Sequence, residues 1–303
     1  MSAIDYNFLI NQIQRNLPTL PTIVNELTNI LQNPDSSTFA VEDVMTSDQS
    51  MTMKILRVAN TSFYRGGRNE RVTDANEAIG SLGFEKIRNV VLTTSVFKMF
   101  KDESAENRFS LEDLWKHSLG VAAASRTLAK WLGKPWHERA YTCGLVHDIG
   151  KVARYKLDEV DESKLFISDS QFALDKKINF FRAELVNQSP RHDYLGYLLC
   201  KNWGLSAWVE SVVMWHHEPD ASRRQGVPSS DAHALIDIII MANWLTHYNK
   251  FGFSGHESNE VPSDALLQRL NISQPQLDLL IKQAVLTLEE TKEFCDLLDS
   301  ADI

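Results

Sequence analysis

The sequence predicts an all-α protein built as two helical lobes. Three observations carry that expectation. Apolar residues recur at steps of three and four along most of the chain, no stretch alternates with period two for more than a few residues, and a charged, apolar-poor break at 101–109 separates two sets of helices.

In the first set, residues 5–32 place apolar side chains at Phe8, Ile13, Leu17, Leu20, Ile23, Leu27, Ile30 and Leu31. The run Leu17-Pro-Thr-Leu-Pro21 interrupts them, ending one helix and opening the next, because proline is tolerated only in a first turn. Further short helices are expected near 40–46, 49–60, 74–82 and 84–100, with Tyr64-Arg-Gly-Gly-Arg68 as the clearest loop. The second set is expected at about 111–132, 136–155, 171–187, 190–203, 206–217 and 231–248. Ser189-Pro190 reads as an N-cap followed by proline at the first helical position, and Gly204 as a C-terminal stop. Residues 223–230 and 252–263 read as polar loops, and helices at about 263–270 and 274–298 close the chain. The resulting organisation is 1–104 as an N-terminal lobe, 105–250 as a second lobe and 251–303 as a C-terminal helical extension.

Composition narrows the function classes. A chain of 303 residues that is 43% hydrophobic and 23% charged is too apolar for disorder. No run approaches the ~18 apolar residues of a membrane span, and the start lacks the pattern of a signal peptide. A cytoplasmic setting is therefore expected, with Cys143, Cys200 and Cys295 reduced and neither a disulfide framework nor a CxxC zinc site. The net charge of −9 argues against a nucleic-acid or anionic-membrane binder. Arg57, Arg65, Arg68 and Arg71 cluster near the Gly66-Gly67 loop and read as a solvated surface.

Nine histidines remain as carriers of chemistry. His117 steps with Leu114, Val121, Ala124 and Leu128, so it points inward with core residues. His147 and Lys151 lie one turn apart beside Asp148, and His192 shares a stripe with Leu195, Leu199 and Trp203. His216 and His217 end the run 209–215, and Asn243 aligns with Ile236, Ile239, Ile240 and His247. An imidazole can be buried neutral and still ligate a borderline metal, while a carboxylate adds the negative charge a divalent ion needs. A polar pocket between helices is the expected result. Lys151 would put a cation where a phosphate could sit. Ser110-Leu-Glu-Asp113 matches a capping box, so a cap and a ligand role both stand open for Asp113. On a continuous helix His216 and His217 lie ~100° apart, so at most one is expected to face a given centre. His137, His233 and His256 sit in polar settings and read as surface residues.

This conjunction resembles the HD superfamily of metal-dependent phosphohydrolases, with His117, the pair His147-Asp148, and Asn243 where a late Asp is expected. Leu17-Pro-Thr-Leu-Pro21, Ile55-Leu-Arg-Val-Ala-Asn-Thr-Ser-Phe-Tyr64, Ala78-Ile-Gly-Ser-Leu-Gly83, Cys143-Gly-Leu-Val-His-Asp-Ile-Gly150, His192-Asp-Tyr-Leu-Gly196 and Trp203-Gly-Leu-Ser206 resemble the HDOD family, the HD-related output domains of bacterial signalling. The metal-ligand motif is also similar to that of HD-GYP phosphodiesterases at His117, His147, Asp148, Lys151, His192, His216 and His217, with Asp113 where an acidic ligand can stand. The Gly-Tyr-Pro loop is missing after His217.

The resemblance implies an HD-like helical bundle holding one or two Fe, Mn or Zn ions. Its ligands would be His117, His147, Asp148, His192, His216, His217, Asn243 and Asp113. Asp148 and Lys151 would serve catalysis, and a signalling protein or nucleotide-like ligand would be the partner. An amide at Asn243 offers one neutral oxygen in place of a carboxylate, so weaker or fewer metals and a poor catalyst are expected. The resemblance thus implies a regulatory protein of bacterial signal transduction, and a metal-dependent phosphohydrolase acting on a nucleotide or cyclic dinucleotide is the alternative.

Overall fold

The structure is a computed structural model that describes residues 4–16, 109–160 and 164–299, with 56, 60, 61, 71–83, 86, 87, 89 and 93. The proline pair at 17–21, most of the 55–64 motif and the Gly66-Gly67 loop with Arg57, Arg65 and Arg68 lie outside the described residues. Every regular element among the described residues is helical, as the periodicity predicts. The chain forms two compact units, Met1–Pro18 with Phe100–Leu288, and Thr19–Met99 with Glu289–Ile303.

In the unit that carries the histidines, helix α1 spans Tyr6–Asn16. In the other unit, α2 spans Ala75–Leu82 and opens on a pair of side-chain caps. Asp74 accepts from the Glu77 N–H at 2.8 Å, while Glu77 accepts from the Thr73 N–H at 2.8 Å. Asn60 fastens this unit from the side, accepting from the Val72 N–H and donating to the Val72 carbonyl, both at 2.8 Å.

The remaining helices of the first unit are α3 (Leu111–Trp131), α4 (His137–Val146), α5 (Ile149–Val160), α6 (Leu165–Lys176), α7 (Phe180–Asn187), α8 (His192–Asn202) and α9 (Ala207–Trp215). They are followed by α10 (Ser230–Tyr248), α11 (Asp264–Arg269) and α12 (Gln274–Asp299), whose last residues run into the other unit. The buried helix α3 packs against α4 and α10, and α5 packs against α8. Two glycines set these spacings. A Cβ on Gly144 would lie 2.8 Å from the Ala122 Cα, and one on Gly150 would lie 1.8 Å from the His192 carbonyl oxygen. Only a residue without a side chain admits backbones this close.

The boundaries differ from expectation where chemistry intrudes. One helix was expected over 136–155, but His147 and Asp148 form a turn between α4 and α5. The helix expected over 171–187 is likewise two, because Lys177 adopts a left-handed conformation and Asn179 caps α7, accepting from the Arg182 N–H at 2.8 Å. Ser189 does not cap α8. Its hydroxyl donates to Asp169 at 3.0 Å, and the helix begins at His192. The first part of the expected loop at 252–263 is buried rather than solvated. The Phe253 N–H donates to the Asp113 carbonyl at 3.0 Å and Ser170 donates to the Gly255 carbonyl at 3.0 Å, drawing Ser254 and His256 inside. All three cysteines are free and buried. Among the described residues no helix is long and apolar enough to cross a membrane.

Candidate metal centre

Asp148 sits where α4 stops and α5 starts, so its side chain leaves a helix junction and enters the bundle. Its two oxygens face different histidines. Oδ1 lies 3.3 Å from His192 Nε2 and 3.4 Å from His216 Nε2. Oδ2 lies 3.3 Å from His147 Nε2, 4.0 Å from His117 Nε2 and 2.8 Å from Lys151 Nζ. Two ligand sets therefore share one carboxylate, Asp148 with His192, His216 and His217, and Asp148 with His117 and His147. Within each set the ligand atoms lie within 4.8 Å of one another.

The ring orientations are fixed from behind. His147 Nδ1 donates to the Gly144 carbonyl at 2.7 Å, His216 Nδ1 to the Val213 carbonyl at 2.9 Å, and His192 Nδ1 to the Glu184 carboxylate at 2.8 Å. Each ring thus turns Nε2 towards Asp148. His217 stacks on Phe181 at 4.8 Å with an interplanar angle of 9°, and its Nε2 lies 2.9 Å from His192 Nε2. Sequence spacing implied that only one of His216 and His217 could face the centre. Both do, because α9 ends at Trp215 and the chain turns before the 100° helical step applies.

Electrostatics agree with the geometry. Burial would raise the Asp148 carboxyl, but the facing His147 and Lys151 charges hold it well below the usual carboxylate range. Burial holds His117 well below the ordinary histidine value, and its neighbours His247 and His147 add to this. His216 is lowered by burial, and His217 lies well below its ordinary value through burial and the adjacent His216 and His192. Burial would lower His192, but the Glu184 and Asp148 carboxylates together outweigh it and the value is raised.

Both ring nitrogens of His117, Nε2 of His147, Nε2 of His216 and Oδ1 of Asp148 are buried without a hydrogen-bond partner. Unpartnered buried polar atoms are costly, and these belong to the two ligand sets around one carboxylate. Imidazole lone pairs with a single carboxylate form a donor set suited to a borderline divalent ion such as Fe, Mn or Zn. The residues present fit such an ion.

The two remaining predicted ligands are Asp113 and Asn243. The Asp113 N–H is capped by Ser110 Oγ at 3.1 Å, and the Asp113 carboxylate joins neither set. Asn243 lies one turn before His247 on α10, and its buried Oδ1 has no hydrogen-bond partner. The His247 ring contacts those of His117 at 4.6 Å and His256 at 4.3 Å, both in tilted arrangement. Burial pushes His247 down to about 3 and holds His256 well below its ordinary value. His256 is thus an inward residue and not the surface residue its polar neighbours suggested. Glu184, Arg154 and Asp169 were also missed. The available signal was charge at helical core positions, since Glu184 follows Phe180 and Ala183 on the buried side of α7.

Comparison with known proteins places these features in a family. The HDOD domain model matches residues 17–219. A Geobacter sulfurreducens HDOD domain protein of unknown function shares the fold with a TM-score of 0.74 at 24% identity, covering 97% of this chain and 99% of that one. A "Putative phosphohydrolase" from Shewanella amazonensis superposes with a TM-score of 0.67 at 21% identity, over 94% of this chain and 97% of that one. An uncharacterized protein of Treponema pallidum is 21% identical over 77% of this chain, which spans 42% of that relative's length.

Proposed function

Since the chain belongs to the HDOD family, we propose that it is a signalling module whose output depends on one or two divalent ions, Fe, Mn or Zn, at the Asp148 centre. The observation that carries this reading is the sharing of one carboxylate by two histidine sets, four of whose ring nitrogens, both of His117 with Nε2 of His147 and of His216, are buried without a hydrogen-bond partner. His192, His216 and His217 would hold one ion with Asp148. His117 and His147 would hold a second with the same carboxylate, more weakly because Asn243 brings no charge. When bound, such an ion supplies positive charge and Lewis acidity.

The residues themselves favour a regulatory output. His117, His147, Asp148, Lys151, His192 and His216 are each at most 2% exposed. Catalytic metal sites keep a position open to substrate, whereas structural ones are closed. Lys151 is held by Asp148 at 2.8 Å, so neutralising a phosphate would require it to leave that carboxylate. The output is proposed to pass to a cytoplasmic signalling protein or a nucleotide-like ligand. The test is replacement of both His147 and Asp148 by Ala in the source organism. The variant is expected to reproduce the phenotype of deleting the protein, and a wild-type phenotype contradicts a metal-dependent output.

A weak phosphohydrolase is the second reading, favoured by a lysine ammonium placed beside the centre. Turnover of phosphomonoesters, nucleotides or cyclic dinucleotides by metal-loaded protein, abolished in Asp148→Asn, would establish it.

A further inference from the structure

Three of the histidines facing Asp148 are oriented through Nδ1, but not in the same way. His147 and His216 rely on backbone carbonyls, whereas His192 relies on the Glu184 side chain. Glu184 is fully buried and clamps His192 at two points. Oε2 accepts from the ring Nδ1–H at 2.8 Å, and Oε1 accepts from the backbone N–H of the same residue at 2.9 Å. Glu184 is itself held. Oε1 also accepts from Arg154 Nη1 at 2.6 Å, and Arg154 Nη2 donates to Asp169 at 2.6 Å. Asp169 in turn accepts from Asn187 at 2.6 Å and Ser189 at 3.0 Å. The network ties the end of α7 to the start of α8 and leaves Glu184 no freedom to turn.

We infer that Glu184 is the positioning residue of the metal centre, setting the His192 tautomer so that Nε2 offers a lone pair to an ion shared with Asp148. This rests on the metal reading above. The physical basis is that a carboxylate oxygen only accepts, so the ring proton is kept on Nδ1 and Nε2 stays free to ligate. A glutamine at this position reverses the outcome. Its carbonyl oxygen is retained by the two donors now at Oε1, Arg154 and the His192 N–H. Its amide group must then face Nδ1. An amide N–H only donates, so Nδ1 becomes the acceptor, the proton moves to Nε2 and the lone pair is lost to the metal.

The test is Glu184→Gln in the full chain, with two readouts. Zinc affinity, measured by competition with a chromophoric chelator, is expected to fall roughly 10- to 100-fold, the usual effect of removing such an outer partner. Nitrogen-15 NMR of histidine-labelled, metal-free protein, at a pH where the His192 ring is neutral, is expected to show His192 changing from the Nδ1–H to the Nε2–H tautomer. Loss of packing alone would not produce that signature. If wild type and Glu184→Gln bind zinc equally and His192 keeps its tautomer, the inference is overturned. If wild type binds no zinc but the tautomer still switches, the metal reading fails while the positioning of the ring stands. Should Glu184→Gln not fold, wild type decides the matter. Measured at a pH high enough to deprotonate the ring, neutral His192 must carry its proton on Nδ1 in metal-free protein, and a neutral ring protonated on Nε2 overturns the inference.

Discussion

Acidifying the metal-free protein is expected to destabilise the unit that bears the histidines. His117 and His256 are at most 6% exposed and, in the folded chain, stay neutral well below their ordinary range. In the unfolded chain each regains a pKa of about 6.5 and carries about 0.9 of a proton at pH 5.5. A group that binds its proton only when unfolded favours unfolding as pH falls below that value. Each of the two residues therefore costs about 1.4 kcal/mol at pH 5.5, and the pair about 3 kcal/mol. His216, His217 and His247 act in the same direction, the last two discounted for partial exposure. His192 opposes them, since its raised value gives stability that is full below pH 6.5 and lost as pH rises through its folded value. The depressed Asp148 carboxyl titrates below this window, where its contribution would be lost only under stronger acid. The assay is urea unfolding with a chelator at pH 7.5 and pH 5.5, followed by tryptophan fluorescence. All seven tryptophans lie between Trp115 and Trp244, so the signal comes from the histidine-bearing unit alone. A fall of about 1 to 2 M in the midpoint is expected. A midpoint that holds or rises on acidification refutes the reasoning.

Other outcomes follow from the same contacts. Arg154→Met leaves the buried Asp169 and Glu184 carboxylates facing each other without their shared cation, and is expected to cost about 3 to 5 kcal/mol in denaturant unfolding. Gly150→Ala drives a methyl group into the His192 carbonyl and is expected to cost at least about 1 to 3 kcal/mol, with weaker zinc binding because α5 and α8 carry Asp148's neighbours and His192 apart. Wild-type stability in that variant would contradict the helix spacing described here. Asn243→Asp adds the missing charge, and calorimetry is expected to show a second metal equivalent bound roughly tenfold more tightly, about 1.4 kcal/mol.

Much of this was legible from the sequence because helical periodicity records which face is buried. His117 and His192 were placed inward by the stripes they share with leucines, and both are fully buried. What escaped was set by long-range contact. The break at His147-Asp148 has no proline, and the apolar residues Val146 and Ile149 run up to it on both sides, so the Asp148 helix-start signal is easily overrun. His256 lies among Gly255, Glu257 and Ser258, a solvated pattern, and is drawn inside because Phe253 pairs with Asp113 and Gly255 with Ser170 across the fold. The convergence of His216 and His217 depends on where α9 ends, which is the part of a helix that sequence marks least clearly. Glu184 and Arg154 are 30 positions apart and meet through folding alone.

The central claim is that Asp148 joins two sets of histidines into a metal centre. The most direct measurement is elemental metal content of tag-free wild type and Asp148→Asn, each purified without chelators and then offered Fe, Mn or Zn. The account predicts one or two equivalents per chain in wild type and a near-complete loss in the variant, with both proteins folded. Wild type that remains metal-free after loading, or a variant that binds as much as wild type, would contradict it.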